Sequence, residues 1–131
     1  MPAVTAATTE SATAARDAGN GCRKLPLALG GTLASQSFEG QIAMVTGHDP
    51  EQGDGNFPVL VLDVPLCAVY ELPPQSELLV GVLGGKAKWE ALGRQWGAQR
   101  VRVTGDVRSM DIYLRPLRHF LLFASRVDAL P

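Results

Sequence analysis

The sequence predicts a mainly β domain, and three observations predict it. Short runs of apolar and β-branched residues recur along the chain, separated by segments rich in Gly, Pro, Asp and Asn. Only one segment, residues 86–97, has apolar residues at helical spacing. At 131 residues, of which 46% are hydrophobic and 19% charged, the chain is long enough for one domain with one core.

The first 21 residues are predicted to be a disordered leader or the remnant of a signal peptide, and residues 22–131 the folded domain. The stretch "MPAVTAATTESATAARDAGNG" is rich in Ala and Thr and poor in large apolar side chains, so it cannot bury enough surface to offset its ordering entropy. Its small residues resemble the end of a signal peptide, and an ordinary disordered start explains them equally well.

Five strands are predicted. Residues 25–35 alternate in polarity and contain Gly30-Gly31, which indicates a long strand bent by a glycine bulge. Residues 36–56 are predicted to be a long loop, because their second half is rich in Gly, Asp, Pro and Asn. Residues 57–63 fit a buried central strand, and residues 77–83 form the third strand candidate.

The helix is predicted at residues 86–97, because Trp89, Leu92 and Trp96 share one helical face. A fourth strand follows at residues 100–107, in which Val101 and Val103 point to one side and polar residues to the other. Residues 108–118 are irregular and polar, and residues 119–127 supply the last apolar strand.

A helix between the third and fourth of five strands is the element order of the OB-fold, a partly open Greek-key barrel. The sequence therefore predicts a five-stranded OB-like barrel. Such closure would also hide the strand edges of a chain with so little helix. An SH3-like barrel or a small sandwich is the alternative.

The two cysteines, Cys22 and Cys67, are predicted to form a disulfide. Cys22 lies among polar residues, where an idle thiol would be exposed, and the leader looks like a mature secreted terminus. The alternative is two unrelated thiols in a cytosolic protein. The disulfide predicts a periplasmic or secreted location. No metal or cofactor is predicted, because the two cysteines and two histidines match no ligand spacing.

The stretches "GTLASQSFEG", "LVLDVPLCAVY" and "RVRVTGDV", in this order, resemble a small bacterial secreted family, the domain of unknown function numbered 4431. The resemblance implies an OB-like barrel behind a signal peptide, with Cys22, Asp63, Pro65, Cys67 and Gly105 as framework positions. The family often has a histidine-rich tract after the last of these strands, where this chain has only His119.

The predicted binding residues lie in the two longest irregular segments, because an OB-fold binds through the loops that join strands one to two and four to five. One loop is acidic and the other mainly basic, a combination that suits a protein partner or a polar saccharide. Two ordinary solvated loops are the alternative. The predicted partner-binding residues are Asp49, Glu51, Asp54, Arg108, Asp111, Tyr113, Arg115 and Arg118.

The predicted function is a small non-enzymatic binding module, such as an immunity or inhibitor protein that binds another protein. The alternative is an OB-type binder of oligosaccharide or single-stranded nucleic acid, with Phe57 and Tyr70 as the aromatic candidates near the binding strands. A net charge of −1 disfavours nucleic acid, and the chain has no apolar run long enough to span a membrane. The adjacent His48 and Asp49 lack a nucleophile, so catalysis is not expected.

Overall fold

The structure, a computed structural model, describes residues 21–49, 53–67, 73–112 and 118–131. The elements in these ranges are β1 (Arg23–Lys24), β2 (Thr32–Asp49), β3 (Gly53–Cys67), β4 (Gln75–Gly81), α1 (Lys86–Trp96), β5 (Arg100–Ile112) and β6 (Arg118–Ala129). The predicted mainly β class and the predicted helix are confirmed. The described strands number six rather than five, because a two-residue strand precedes the five long ones. The predicted leader lies outside the described residues except for Gly21.

All six strands belong to one sheet with the order β1-β3-β2-β5-β6-β4, and β3 also pairs with β4. The β1–β3 and β4–β6 pairings are parallel, and the other pairings are antiparallel. Each of the five long strands therefore pairs with at least two others. Within the described ranges, no helix has the length and hydropathy of a membrane-spanning segment.

The sequence-based prediction of elements was most wrong at strand β2. Strand β3 is also longer than the predicted residues 57–63, and β5 runs to Ile112, into the segment predicted to be irregular. Strand β2 begins only at Thr32, and residues 36–49, predicted as loop, are strand. The bend lies not at Gly30 but between Leu33 and Gln36, where the register shifts and Ser35 has a φ of 55°. Residues 36–49 are strand despite their loop-like composition because they pair with β3 on one side, from Gly40 to Asp49, and with β5 on the other side as far as Gln41.

Residues 22–28, here called the strap, lie beside the end of β3 before β2 begins. Leu25 and Leu27 are buried in the core, with exposed fractions of 4% and 1%. The strap is attached at its start by β1, whose Arg23 and Lys24 pair with Leu66 and Cys67 of β3. The alternation in the sequence thus correctly predicts the burial of Leu25 and Leu27, but Leu29, the third residue of the pattern, is 77% exposed, and the residues form a strap rather than a long strand.

The main core is built from inward side chains of β2 to β6, from the strap and from α1. Val101, Val103 and Val107 of β5 are fully buried, as the alternation in that segment predicts. Leu92 of α1 belongs to this core, and Trp96 packs against it. The strap and the helix therefore both contribute to one continuous apolar interior.

A second apolar cluster lies on the opposite face of the sheet. Its central row crosses four strands through the register pairs Leu121–Leu79, Leu79–Val59 and Val59–Ala43. Neighbouring residues on a strand point to opposite faces, so this row faces away from Leu60 and the main core. The face of β3 and β4 that points away from the main core is therefore apolar at Val59 and Leu79.

Trp89 of α1 covers this second cluster. Its ring packs edge-on against Phe57, with centroids 6.5 Å apart, and its Nε1–H donates to the carbonyl of Val82 at 2.7 Å. Gly81 makes this approach possible, because a Cβ there would lie 2.7 Å from the indole ring. The two tryptophans of the helix thus serve different clusters, although they share one helical face.

Candidate functional site

Cys22 and Cys67 form a disulfide that joins the start of the strap to the end of β3, which confirms the predicted pair. Their Cα atoms lie 5.6 Å apart, a normal separation for a bridged pair. Cys22 is only 5% exposed. The bond therefore fixes the strap against the sheet and is not an exposed thiol pair.

The predicted acidic loop is described through Asp54 and through the backbone of Asp49, which pairs with Gly53. Asp54 Oδ1 accepts a hydrogen bond from His48 Nδ1 at 2.8 Å, and the Asp54 carbonyl accepts one from Lys86 Nζ at 2.7 Å. Glu51 lies outside the described residues. The described end of this hairpin is thus held beside the first residue of α1.

The predicted basic loop is described best at Arg108, an exposed residue of β5. Its guanidinium carbon lies 5.6 Å from the centre of the Phe123 ring on the neighbouring strand, within the range of a cation–π interaction. In the register, Arg108 is opposite Thr32 of β2 on one side and Leu121 of β6 on the other. The residue therefore lies within the sheet, paired on both sides, rather than in a loop.

The other described arginines of the long strands are paired with carboxylates. The pairs are Arg100 with Asp63, Arg102 with Glu39, and Arg126 with Asp128. Arg108 differs because its partner among the described residues is an aromatic ring. Among the described side chains, no carboxylate is paired with Arg108.

The remaining predicted binding residues are less fully described. Asp111 and Arg118 lie in β5 and β6, and Arg118 pairs through its backbone with Ile112, while their side chains lie outside the description. Tyr113 and Arg115 lie outside the described residues. Whether these side chains join Arg108 stays a prediction.

The described members of the two predicted loops are not in contact. Arg108 pairs with Leu121, which leads through Leu79 to Val59, and Val59 lies five residues from Asp54 on β3. Along this path two strands, β6 and β4, lie between Arg108 and Asp54. Whether the two loops form a single mouth stays a prediction.

Phe123 is the contact residue that the sequence reasoning missed. Its register partner is Asp106, and it lies diagonally from Arg108 across the β5–β6 pair. Diagonal neighbours on one face can interact when one side chain is long or aromatic. Only the register reveals this pair, and the register depends on irregularities on both sides of it, at Thr104/Gly105 and at Ser109/Ile112.

The His48–Asp54 pair does not have the environment of a catalytic dyad. Its side chains are 61% and 91% exposed, so neither is held in the buried position that orients a catalytic histidine. Within the described ranges, no group of three or more His, Cys, Asp or Glu side chains could hold a metal ion.

Two of the framework positions implied by the family resemblance have clear structural roles. Gly105 lies where a Cβ would overlap the carbonyl of Phe123, and Asp63 is bound by Arg100. The resemblance itself stays a prediction. No family model matches this chain, and neither a curated protein nor a solved structure matches it.

Proposed function

We propose that this protein is a small extracytoplasmic binding module of bacterial origin, not an enzyme, and that its five long strands form an OB-like Greek-key barrel. It would act by holding a protein partner, as an immunity or inhibitor protein does. Each part of this proposal has separate support, which follows.

The order of strand pairings supports the barrel. Going from strand to strand, β2 pairs with β3, β3 with β4, β4 with β6, β6 with β5, and β5 again with β2. In chain order, α1 lies between β4 and β5, which are the third and fourth of the five long strands. This order, with one parallel pairing among the five long strands, is the order expected of an OB-fold barrel and supports the proposal.

The register supports closure as well. One circuit of pairings passes through Val59, Leu79, Leu121, Arg108 and Thr32. Val59 also pairs directly with β2, but at Ala43, eleven residues from Thr32. Closing a sheet on itself requires such a stagger, because the strands must tilt against the barrel axis.

The Cys22–Cys67 disulfide is the observation that carries the extracytoplasmic part of the proposal. Structural disulfides form and persist in oxidising compartments and are rare in the cytosol. This bond joins a buried strap to the end of a long strand, which is the arrangement of a stabilising crosslink. A periplasmic or secreted location follows as part of the proposal.

The Arg108–Phe123 pair marks the proposed binding surface. A guanidinium without a carboxylate partner among the described residues, held on a strand beside an aromatic ring, is the kind of anchor that protein interfaces favour. We expect the partner to present an acidic group to Arg108.

The test is capture of a periplasmic partner by the oxidised protein immobilised on a resin. Arg108→Glu should reduce stoichiometric capture of that partner on the order of tenfold, because charge reversal places like charges together. Arg126→Glu is the matched control, since Arg126 is 72% exposed on the same sheet but pairs with Asp128. Equal capture by both variants, or no stoichiometric partner, would contradict the proposal. A gene for a secreted toxin beside this one would support the immunity function.

The alternative of an oligosaccharide or single-stranded nucleic-acid binder has less support. Phe57, one of its two aromatic candidates, is fully buried under Trp89 and cannot stack on a base or a sugar. Tyr70 lies outside the described residues. Titration with oligonucleotides and cell-wall fragments tests this alternative, and salt-sensitive binding would favour nucleic acid.

A further inference from the structure

Strand β2 continues beyond the point where its pairing with β5 ends. Its pairing with β5 ends at Gln41, which is opposite Arg100, and a single bridge joins Ile42 to Gly97. From Ala43 to Asp49, β2 pairs with β3 on its other side. Among the described residues, no strand pairs with the β5 side of this segment.

The direction of the backbone groups in this segment follows from one hydrogen bond. The carbonyl of Ile42 accepts from the Ala98 N–H at 3.0 Å, so the backbone groups of Ile42 point toward the β5 side. In an antiparallel strand, the N–H and C=O of one residue point to the same side, and this side alternates along the chain. The N–H and C=O groups of Met44, Thr46 and His48 therefore point to the open edge.

We propose that this edge pairs with the same edge of a second copy of the chain, antiparallel and centred on Thr46. In this register Thr46 is opposite Thr46 of the second copy, and Met44 is opposite His48. Met44, Thr46 and His48 of one copy are then opposite His48, Thr46 and Met44 of the other copy. Each outward N–H and C=O of these residues therefore has a partner. A shift by two residues in either direction leaves part of the set unpaired, so the register centred on Thr46 makes the most hydrogen bonds.

The side chains fit this occupant. Thr–Thr pairs are favourable across antiparallel strands. The sulfur of Met44 packs against Gly93 of α1 and the ring of His48 binds Asp54, so the pairing of Met44 with His48 contributes backbone hydrogen bonds. Met44 is 37% exposed, and Thr46 and His48 are also exposed, so a second strand can reach them. A two-fold pairing of this kind buries the same surface on both copies.

The charges also favour a second copy. The ionisable residues of the edge are His48 and Asp49, and in this register they are opposite Met44 and Ala43 rather than their own copies. The net charge of the chain is only −1, so two copies approach without strong repulsion. Exposed strand edges are commonly protected by lysine, proline or a bulge. The segment from Ala43 to Asp49 has neither lysine nor proline, and its register with β3 is regular.

Molar mass measured by light scattering and sedimentation over a range of concentrations tests the proposal with the oxidised full chain. The expected mass at high concentration is twice the 13.9 kDa of the monomer. Thr46→Lys should weaken dimerisation on the order of tenfold or more, because it places two ammonium groups opposite each other. Ser76→Lys, on an exposed position of β4, is the control and should leave the dimer unchanged.

A cysteine variant keeps the proposal testable if the lysine variant does not fold. In Thr46→Cys the two Cα atoms of the pair would lie about 5.5 Å apart, within the range that a disulfide spans. Mild oxidation should give a covalent dimer through residue 46 with the Cys22–Cys67 bond intact, as mapped by mass spectrometry. Ser76→Cys should not crosslink at a comparable rate. A monomer at all concentrations, an unchanged dimer in a folded Thr46→Lys variant, or equal crosslinking of both cysteine variants would each overturn the proposal.

Discussion

The backbone N–H of Leu25 donates to the carbonyl oxygen of Cys67 at 2.9 Å. The same short strap therefore carries the disulfide and the β1 pairing, which attach it to the end of β3, and two leucines that are buried in the main core. These contacts depend on one another, because the buried leucines can enter the core only while the strap lies against the sheet. The first prediction concerns the bond that holds it there.

Replacing both Cys22 and Cys67 by alanine should lower the free energy of unfolding by about 4 kcal/mol, because the crosslink closes a loop of about 45 residues in the unfolded chain. Urea denaturation measures this loss. The wild-type protein in reducing agent should show the same change. In both cases the amides of Leu25 and Leu27 should exchange with solvent faster than those of β5. A loss below about 1 kcal/mol would contradict this account.

Gly40→Ala should destabilise the fold by about 1–3 kcal/mol, since its Cβ would overlap the Val61 carbonyl of the neighbouring strand. A backbone carbonyl cannot move aside as a side chain can. Gly55→Ala is the matched control in the same hairpin, because the nearest atom to its Cβ is Cδ of Lys86, at 3.1 Å, on a flexible side chain. It should change stability by less than about 0.5 kcal/mol. Equal effects in thermal or urea unfolding would refute this distinction.

Trp89→Phe should lower stability by about 1–3 kcal/mol, because it leaves the Val82 carbonyl without its indole donor. Trp89→Ala should cost more, about 3–5 kcal/mol, since it also uncovers Phe57 and the apolar row on β3 and β4. Unfolding monitored by circular dichroism measures both. The order of the two losses is the informative result, and a phenylalanine variant as unstable as the alanine variant would argue against a separate role for the hydrogen bond.

Ala98→Gly should raise stability by roughly 0.5–1 kcal/mol. Ala98 follows the end of α1 with a φ of 63°, a conformation that costs an L-residue with a side chain about 1–2 kcal/mol and that glycine adopts freely. Ala91→Gly, in the middle of the same helix, should have the opposite sign and cost about 1 kcal/mol. Thermal unfolding distinguishes the two, and destabilisation by both changes would mean that the helix end is not strained.

The sequence predicts most of this fold because its signals are local. Alternation in β5 gives the buried valines, and helical spacing gives α1 almost to the residue. The prediction for β2 was wrong because the second half of this strand has a loop-like composition and becomes a strand only by pairing with β3. Two cross-strand side-chain contacts at the end of this hairpin, Thr46 with Asn56 and His48 with Asp54, cannot be seen in a single segment.

The candidate site could be predicted only in part, for the same reason. Cys22 and Cys67 could be paired because the chain has no other cysteine. Arg108 could be named from its polar segment, but its partner Phe123 follows from a register that two irregularities displace. The coverage of Phe57 by Trp89 depends on how the helix docks, which the spacing of apolar residues does not specify.

The parallel pairing of β4 with β6 joins segments that are far apart in sequence, Leu79 with Leu121. Contacts of such long range slow folding, because the intervening chain loses conformational entropy before the stabilising contact forms. A nascent chain that lacks its last fourteen residues would leave β4 and β5 each without one neighbour. Strand β6 therefore completes the sheet, and the two pairings that it makes are expected to form last as the chain folds.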